Sequence, residues 1–160
     1  MFDLFYRKNN NKSLFSYLEK NGFSNVQNYI PLYSNFFDID KNNFNSINLN
    51  NRWAISGISK RVDNNNFNIT ITDNSGNSSK CDSFFKFSPL LDPVKYMVGK
   101  YNHMESNELC ALPSFEDNNS CKKVLDCNNS AYVDSFFSYL SSKLVTTNGF
   151  IHGTTFYGSF

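Results

Sequence analysis

The sequence predicts an α+β fold: an antiparallel sheet of about five strands with a packed helix, preceded by an irregular helical arm, and truncated. Three observations lead there. Residues 53–88 fall into three β-like runs separated by turns rich in Asn, Asp and Gly, the pattern of an antiparallel meander. Residues 130–145 repeat apolar side chains at spacings of three and four, the period of a helix with one broad apolar face. The chain then runs out on Phe150 to Phe160, an aromatic, β-prone stretch with no polar tail. Termini are ordinarily polar and frayed, so an ending on Phe156, Tyr157 and Phe160 is expected of a chain cut inside a sheet, the front part of something longer.

Composition sets the outer bounds. Apolar residues make up 40% of the chain and aromatics 17%, too much for a disordered segment, and 160 residues suffice for a real core. Phe is abundant, aliphatic residues are scarce, and Asn and Ser recur in tracts such as Asn64-Asn65-Asn66. Asn, Lys, Phe and Tyr are what AT-rich codons supply, which points to the genome of a protist or a large virus. The net charge of +1 gives no field to draw nucleic acid or an anionic membrane. No apolar run approaches the twenty residues of a membrane span. The short apolar patch at the start precedes Arg7 and Lys8, the reverse order of a signal peptide, so an intracellular chain is expected. Cys81, Cys110, Cys121 and Cys127 form no Cys-x-x-Cys pair and stand far from His103 and His152, which argues against zinc. Free thiols are expected, a Cys121–Cys127 disulfide being unneeded in a reducing compartment. The Asn118-Asn119-Ser120 glycosylation match carries no weight in a chain outside the secretory route.

Each element has a local reason. Leu14, Phe15, Tyr17 and Leu18 with Gly22 beyond them predict a short amphipathic helix over 13–20. Pro31 forbids a helix through 26–49, leaving a packed irregular arm with one helical turn near Leu32–Phe36. Strands are expected over 53–62, 67–72 and 81–87, with turns at Asp63–Asn66 and Asp73–Asn77, where Gly76 can take positive φ. Asp92 caps a helix with Pro93 at its first position and Val94, Met97, Val98 and Tyr101 on one face. Residues 102–128 are a long polar excursion. Asn129 or Ser130 caps the second helix, whose face is Val133, Phe136, Phe137, Leu140 and Leu144, and Asn148-Gly149 ends it before a return to strand. The arm thus occupies 1–52 and the α+β domain 53–160.

Lys86 is the first residue to weigh for chemistry. Alternation in Ser83-Phe84-Phe85-Lys86-Phe87 puts Phe84 and Lys86 on one face and Phe85 and Phe87 on the other. An ammonium in so aromatic a strand needs water or an anion. Two roles stay open for it: an edge lysine that snorkels and blocks aggregation, or a phosphate ligand. Other acids, Asp38/Asp40, Glu116-Asp117, and the His103/Glu105 pair, read as solvated turns and loops.

The order of elements adds a likeness. A three-strand meander with lysine on its third strand, a helix after it, and the run Phe156-Tyr157-Gly158-Ser159-Phe160 together resemble the N-terminal lobe of protein kinases, the last run matching the fifth strand. The tracts Asn28-Tyr29-Ile30-Pro31-Leu32-Tyr33, Ser46-Ile47-Asn48-Leu49-Asn50 and Lys86-Phe87-Ser88-Pro89-Leu90-Leu91-Asp92-Pro93 are similar to divergent kinase-like proteins of giant DNA viruses. This resemblance implies a kinase N-lobe-like sheet whose C-terminal lobe is missing. It implies a serine/threonine protein kinase in full-length form, using ATP and Mg²⁺ on a protein substrate, in host cytoplasm or virion, with no membrane or nucleic-acid partner. Lys86 would hold the phosphates, Asp134 would be its helix partner, and Phe84 would wall the adenine site. No catalytic or metal-binding residue is expected in 1–160, so this portion alone would be inactive.

Three departures support the alternative, a non-catalytic pseudokinase or a viral structural or interaction protein. The first turn is Asp63-Asn64-Asn65-Asn66, where kinases have a glycine-rich loop. Phe84 stands where a small residue usually leaves room for adenine. Asp134 is the only acid of the long helix, roughly two turns early for a lysine partner, and also reads as a first-turn carboxylate favourable to the helix dipole.

Overall fold

The computed structural model describes residues 3–115 and 121–160. Strands β1 (Tyr6–Lys8) and β2 (Ile47–Leu49) form a small antiparallel ribbon, and β3 (Trp53–Arg61), β4 (Asn66–Asp73) and β5 (Ser78–Phe84) form an antiparallel meander in that order. The helices are α1 (Lys12–Lys20), α2 (Pro93–Met97), α3 (Ser106–Leu109), α4 (Lys122–Leu125) and α5 (Ser130–Asn148), with a 3-10 segment at Pro31–Asn35. The class is α+β. The strands, however, are divided between two sheets, where one sheet of about five was expected.

The meander buries one face. Ile55 and Ile58 of β3 and Phe67, Ile69 and Ile71 of β4 point inward, and Leu14 and Leu18 of α1 close over them. Bulges after Ile55 and Ile58 turn Gly57 inward as well, where an added Cβ would lie 3.9 Å from the Tyr17 ring. Strand β5 contributes little to this face. Its register sets Ser83 opposite Phe67, Cys81 opposite Ile69 and Ser79 opposite Ile71. The large side chain missing from β5 arrives just beyond it, in Phe85, whose ring lies 4.2 Å from that of Phe67.

A second cluster gathers Ile30, Leu32 and Tyr33 around the 3-10 segment, Ile47 and Leu49 of β2, and Tyr132 and Tyr139 of α5. Here the buried face of α5 differs from expectation. Of the expected face, Phe136 and Leu140 pack at the margin of this cluster while Val133, Phe137 and Leu144 are exposed, and the fully inward stripe is Tyr132, Tyr139, Ser142 and Lys143. Both stripes have helical spacing. The tyrosine stripe goes inside because its hydroxyls find acceptors there: Tyr132 donates to the Val124 carbonyl at 2.7 Å and Tyr139 to the Asn50 carbonyl at 3.0 Å.

Asn129 caps α5 by accepting from the Ala131 N–H, and Gly149 ends it at φ 64°, a left-handed C-terminal residue. Asp92 accepts from the Val94 and Lys95 N–H groups and caps α2, with Pro93 in the first turn. The expected face of α2 is not buried, since Val94, Met97 and Val98 are all exposed. The excursion after it carries α3 and α4.

Residues 150–160 form no strand. The segment still crosses the molecule. The Ile55 N–H donates to the Tyr157 carbonyl at 2.9 Å, Asn51 Nδ2 donates to the Phe156 carbonyl, and the Ser159 and Ser135 hydroxyls lie 2.6 Å apart. Phe156 packs on the second cluster and Tyr157 on the first.

Burial of three phenols makes stability pH-dependent. Desolvation raises the pKa of Tyr139 to about 12, and burial also pushes Tyr33 and Tyr132 well above the usual tyrosine range. Above pH 10, the ordinary tyrosine value, the unfolded chain releases these protons and the folded chain keeps them. Stability present below pH 10 is therefore lost as pH rises toward 12 and beyond, by a few kcal/mol on the order of 1.4 per pKa unit per group. Urea midpoints measured across this range should fall steadily, and a flat profile would contradict the burial of these hydroxyls.

Candidate functional site

The expected site residues converge at the end of β5. The strand ladder closes with Phe84, which pairs with Asn66 of β4. The next residue stays fixed by side-chain help: the Phe85 N–H donates to the Asn65 carbonyl at 2.7 Å, and Asn65 Nδ2 donates to the Phe85 carbonyl at 2.8 Å. Phe85 and Phe87 turn toward Phe23, with ring centroids at 6.3 and 5.8 Å. Lys86 and Phe84 turn the other way, into solvent. Lys86 thus lies two residues beyond β5, where mid-strand was expected.

Its ammonium meets the long helix. Lys86 Nζ donates to Asp134 Oδ2 at 2.6 Å, joining the end of the meander to the second turn of α5. The side chains are 62% and 43% exposed, so the pair is wet and contributes about 0–1 kcal/mol to stability. Its chemical meaning is positional. A carboxylate holds one face of the ammonium and leaves the rest of it open to an oxyanion. Asp134 sits late enough in the helix that the dipole role would be weak.

Phe84 is 66% exposed on the same outer side. The turn between β3 and β4 is filled by its own acid. Asp63 accepts from the backbone N–H groups of Asn65 and Asn66 and from the Asn66 amide. Hydrogen bonds to the Asn66 side chain and then to these backbone groups hold the Asp63 carboxyl below its ordinary pKa. Donors that could cradle a phosphate are thereby already spent on a carboxylate.

The weaker candidates sit in turns. Asp40 accepts from the Asn42 and Asn43 N–H groups, and the Asp38 carbonyl accepts from Asn43. The Glu105 N–H donates to Glu108 at the start of α3, and His103 is exposed in a turn. Glu116-Asp117 and Asn118-Asn119-Ser120 lie outside the described residues. The four cysteines are free. Among the described residues no three His, Cys, Asp or Glu side chains come together as a metal site, and no helix is long and apolar enough to cross a membrane.

One cluster escaped the sequence reading. Lys143 is buried on the inner face of α5 beside a cavity of about 270 Å³ that neither Lys86, Asp134 nor Phe84 lines. The signal was present: Lys143 continues the series Tyr132, Phe136, Tyr139 at spacings of four and three, so a helix burying those rings must bury the lysine too. No family model, curated protein or solved structure matches this chain.

Proposed function

We propose that this chain is the nucleotide-facing, N-terminal portion of a protein kinase-like protein that, in full-length form, transfers the γ-phosphoryl group of ATP to a protein hydroxyl. The supporting observation is the contact between Lys86 and Asp134, an ammonium at the end of a three-strand meander held by a carboxylate on the long helix beside it. Phosphoryl transfer asks the protein mostly for positioning and charge neutralisation. Lys86 would hold the phosphates, Asp134 would aim Lys86, and Phe84 would lie against the base. In this reading Mg²⁺ would supply further charge neutralisation at the phosphates, with its ligands outside residues 1–160. The catalytic base and metal ligands of this reading belong to a C-terminal lobe, so residues 1–160 bind nucleotide weakly and transfer nothing.

Two observations favour the second reading, a non-catalytic pseudokinase or interaction protein: the Asp63 turn has its donors occupied, and Phe84 is bulky. Titration of a Mg²⁺–ATP analogue separates the readings. Weak saturable binding to the wild type, abolished by Lys86→Ala and weakened severalfold by Asp134→Asn, is the result expected of a nucleotide site. Equal binding to the wild type and Lys86→Ala would remove Lys86 from that role. No binding to either would leave the non-catalytic reading.

A further inference from the structure

A lysine buried without an acid is the most unusual electrostatic feature of this fold. Lys143 is only 9% exposed. Among the described residues no carboxylate lies within ion-pair distance of its ammonium, and the ammonium makes no hydrogen bond to the protein. Its one close partner is the face of Tyr139, 5.5 Å from the ring centroid, a partial compensation for lost water. Burial first, and the charge of Arg7 second, lower its pKa. The stem is buried while the ammonium opens on the cavity, so an anion there would meet a positive charge with little competing partner.

The surroundings show where that charge would come from. Lys143 lines the cavity of about 270 Å³ together with Arg52, Asn50 and Thr147. Arg7 stands behind it, with Nη2 donating to Asn50 Oδ1 at 3.2 Å and so to an amide, not to an acid. Two carboxylates are near: Asp3, which lines the cavity, and Asp73, which is outside its lining but close enough to Arg52 to feel its charge. The carbonyl end of α5 also opposes an anion. Three cations stand against these two acids, and Lys143 has no ion-pair partner among the described residues, which leaves the cavity short of negative charge. The space suits a phosphate group with a small appendage, below the usual range for drug-sized ligands.

We propose that this cavity is an oxyanion site, taking a phosphate or the phosphate end of a small phosphoester, with Lys143 and Arg52 as its charged ligands. It is separate from the Lys86 contact. Asp134 and Lys143 are nine residues apart on α5, about 13 Å along the axis and half a turn around it. The two sites therefore lie on opposite sides of the helix, and this one does not depend on the kinase-like reading.

Calorimetric titration with inorganic phosphate, pyrophosphate and glycerol 3-phosphate tests it, the first two against the third distinguishing a free anion from an ester. Saturable binding is expected, weakening as salt rises. It should fall about tenfold in Lys143→Met and in Arg52→Gln, the loss of one charged hydrogen bond, and stay unchanged in Lys86→Ala. Lys143→Met should also melt no lower than the wild type, because it keeps a buried stem and removes a charge with no ion-pair partner. A lysine with a purely structural role would lose stability instead. Arg52 is exposed, so its variant folds whatever Lys143→Met does. In the wild type, phosphate should protect Lys143 from acetylation by acetic anhydride, read by mass spectrometry. Absence of saturable binding by all three anions, or binding indifferent to both substitutions, would overturn the proposal.

Discussion

Phe67→Ala is expected to cost about 3–5 kcal/mol, much of the roughly 5–15 kcal/mol that holds a domain of this size together. Phe67 is 0% exposed. Its ring stacks on Phe85 at 4.2 Å, meets Phe23 at 5.9 Å, and lies under the Arg61 guanidinium at 5.6 Å. Across the ladder stand only Ser83 of β5 and Arg61 of β3, and neither brings an apolar group to fill the space. The loss should also loosen the backbone before Lys86, since Phe85 is held in place partly by this stack. Urea unfolding would show a midpoint far below the wild type. Ile151→Ala, at a position 85% exposed, should stay within about 0.5 kcal/mol and serves as the control. A Phe67→Ala loss below about 1 kcal/mol would mean that the aromatic cluster is not packed as described.

Asn129→Ala should come next, at about 3 kcal/mol. Asn129 is 1% exposed and uses its whole amide. Oδ1 accepts from the Ala131 N–H at 3.1 Å, while Nδ2 donates to the carbonyls of Leu90 and Lys123, each at 2.8 Å. Alanine removes a helix cap worth roughly 1 kcal/mol and orphans two carbonyls at about 1 kcal/mol or more each. Asn129→Asp keeps the cap acceptor but sets a charge against those same carbonyls, so it should not rescue. If Asn129→Asp were as stable as the wild type, the donor half of this arrangement would be without energetic value.

Much of this was legible in the chain because it is local. Alternation in Phe67–Thr72 gave β4, Asp92-Pro93 gave the start of α2, and Asn129 with Gly149 gave both ends of α5. The pairing of β1 with β2 was not legible. Three-residue strands separated by nearly forty residues carry no period and no turn signal of their own. The buried face of α5 was misread in part because two apolar stripes share its period, and the choice between them rests on where hydroxyl acceptors lie in the folded molecule. The aromatic run at 156–160 has β propensity but joins β3 through a single backbone bond, since side-chain packing, not ladder formation, decides its path. Lys86 and Asp134 were each visible as candidates. Their meeting depended on how far α5 slides past β5, which tertiary packing alone sets.

The placement of Phe156 and Tyr157 has a thermodynamic consequence. Two consecutive side chains enter two different hydrophobic clusters, while the backbone between them is tied to β3 and, through Asn51, to the strand's approach. Melting either cluster frees one residue of this dipeptide and weakens the hold on its neighbour in the other. The two clusters are therefore expected to unfold in one transition rather than two.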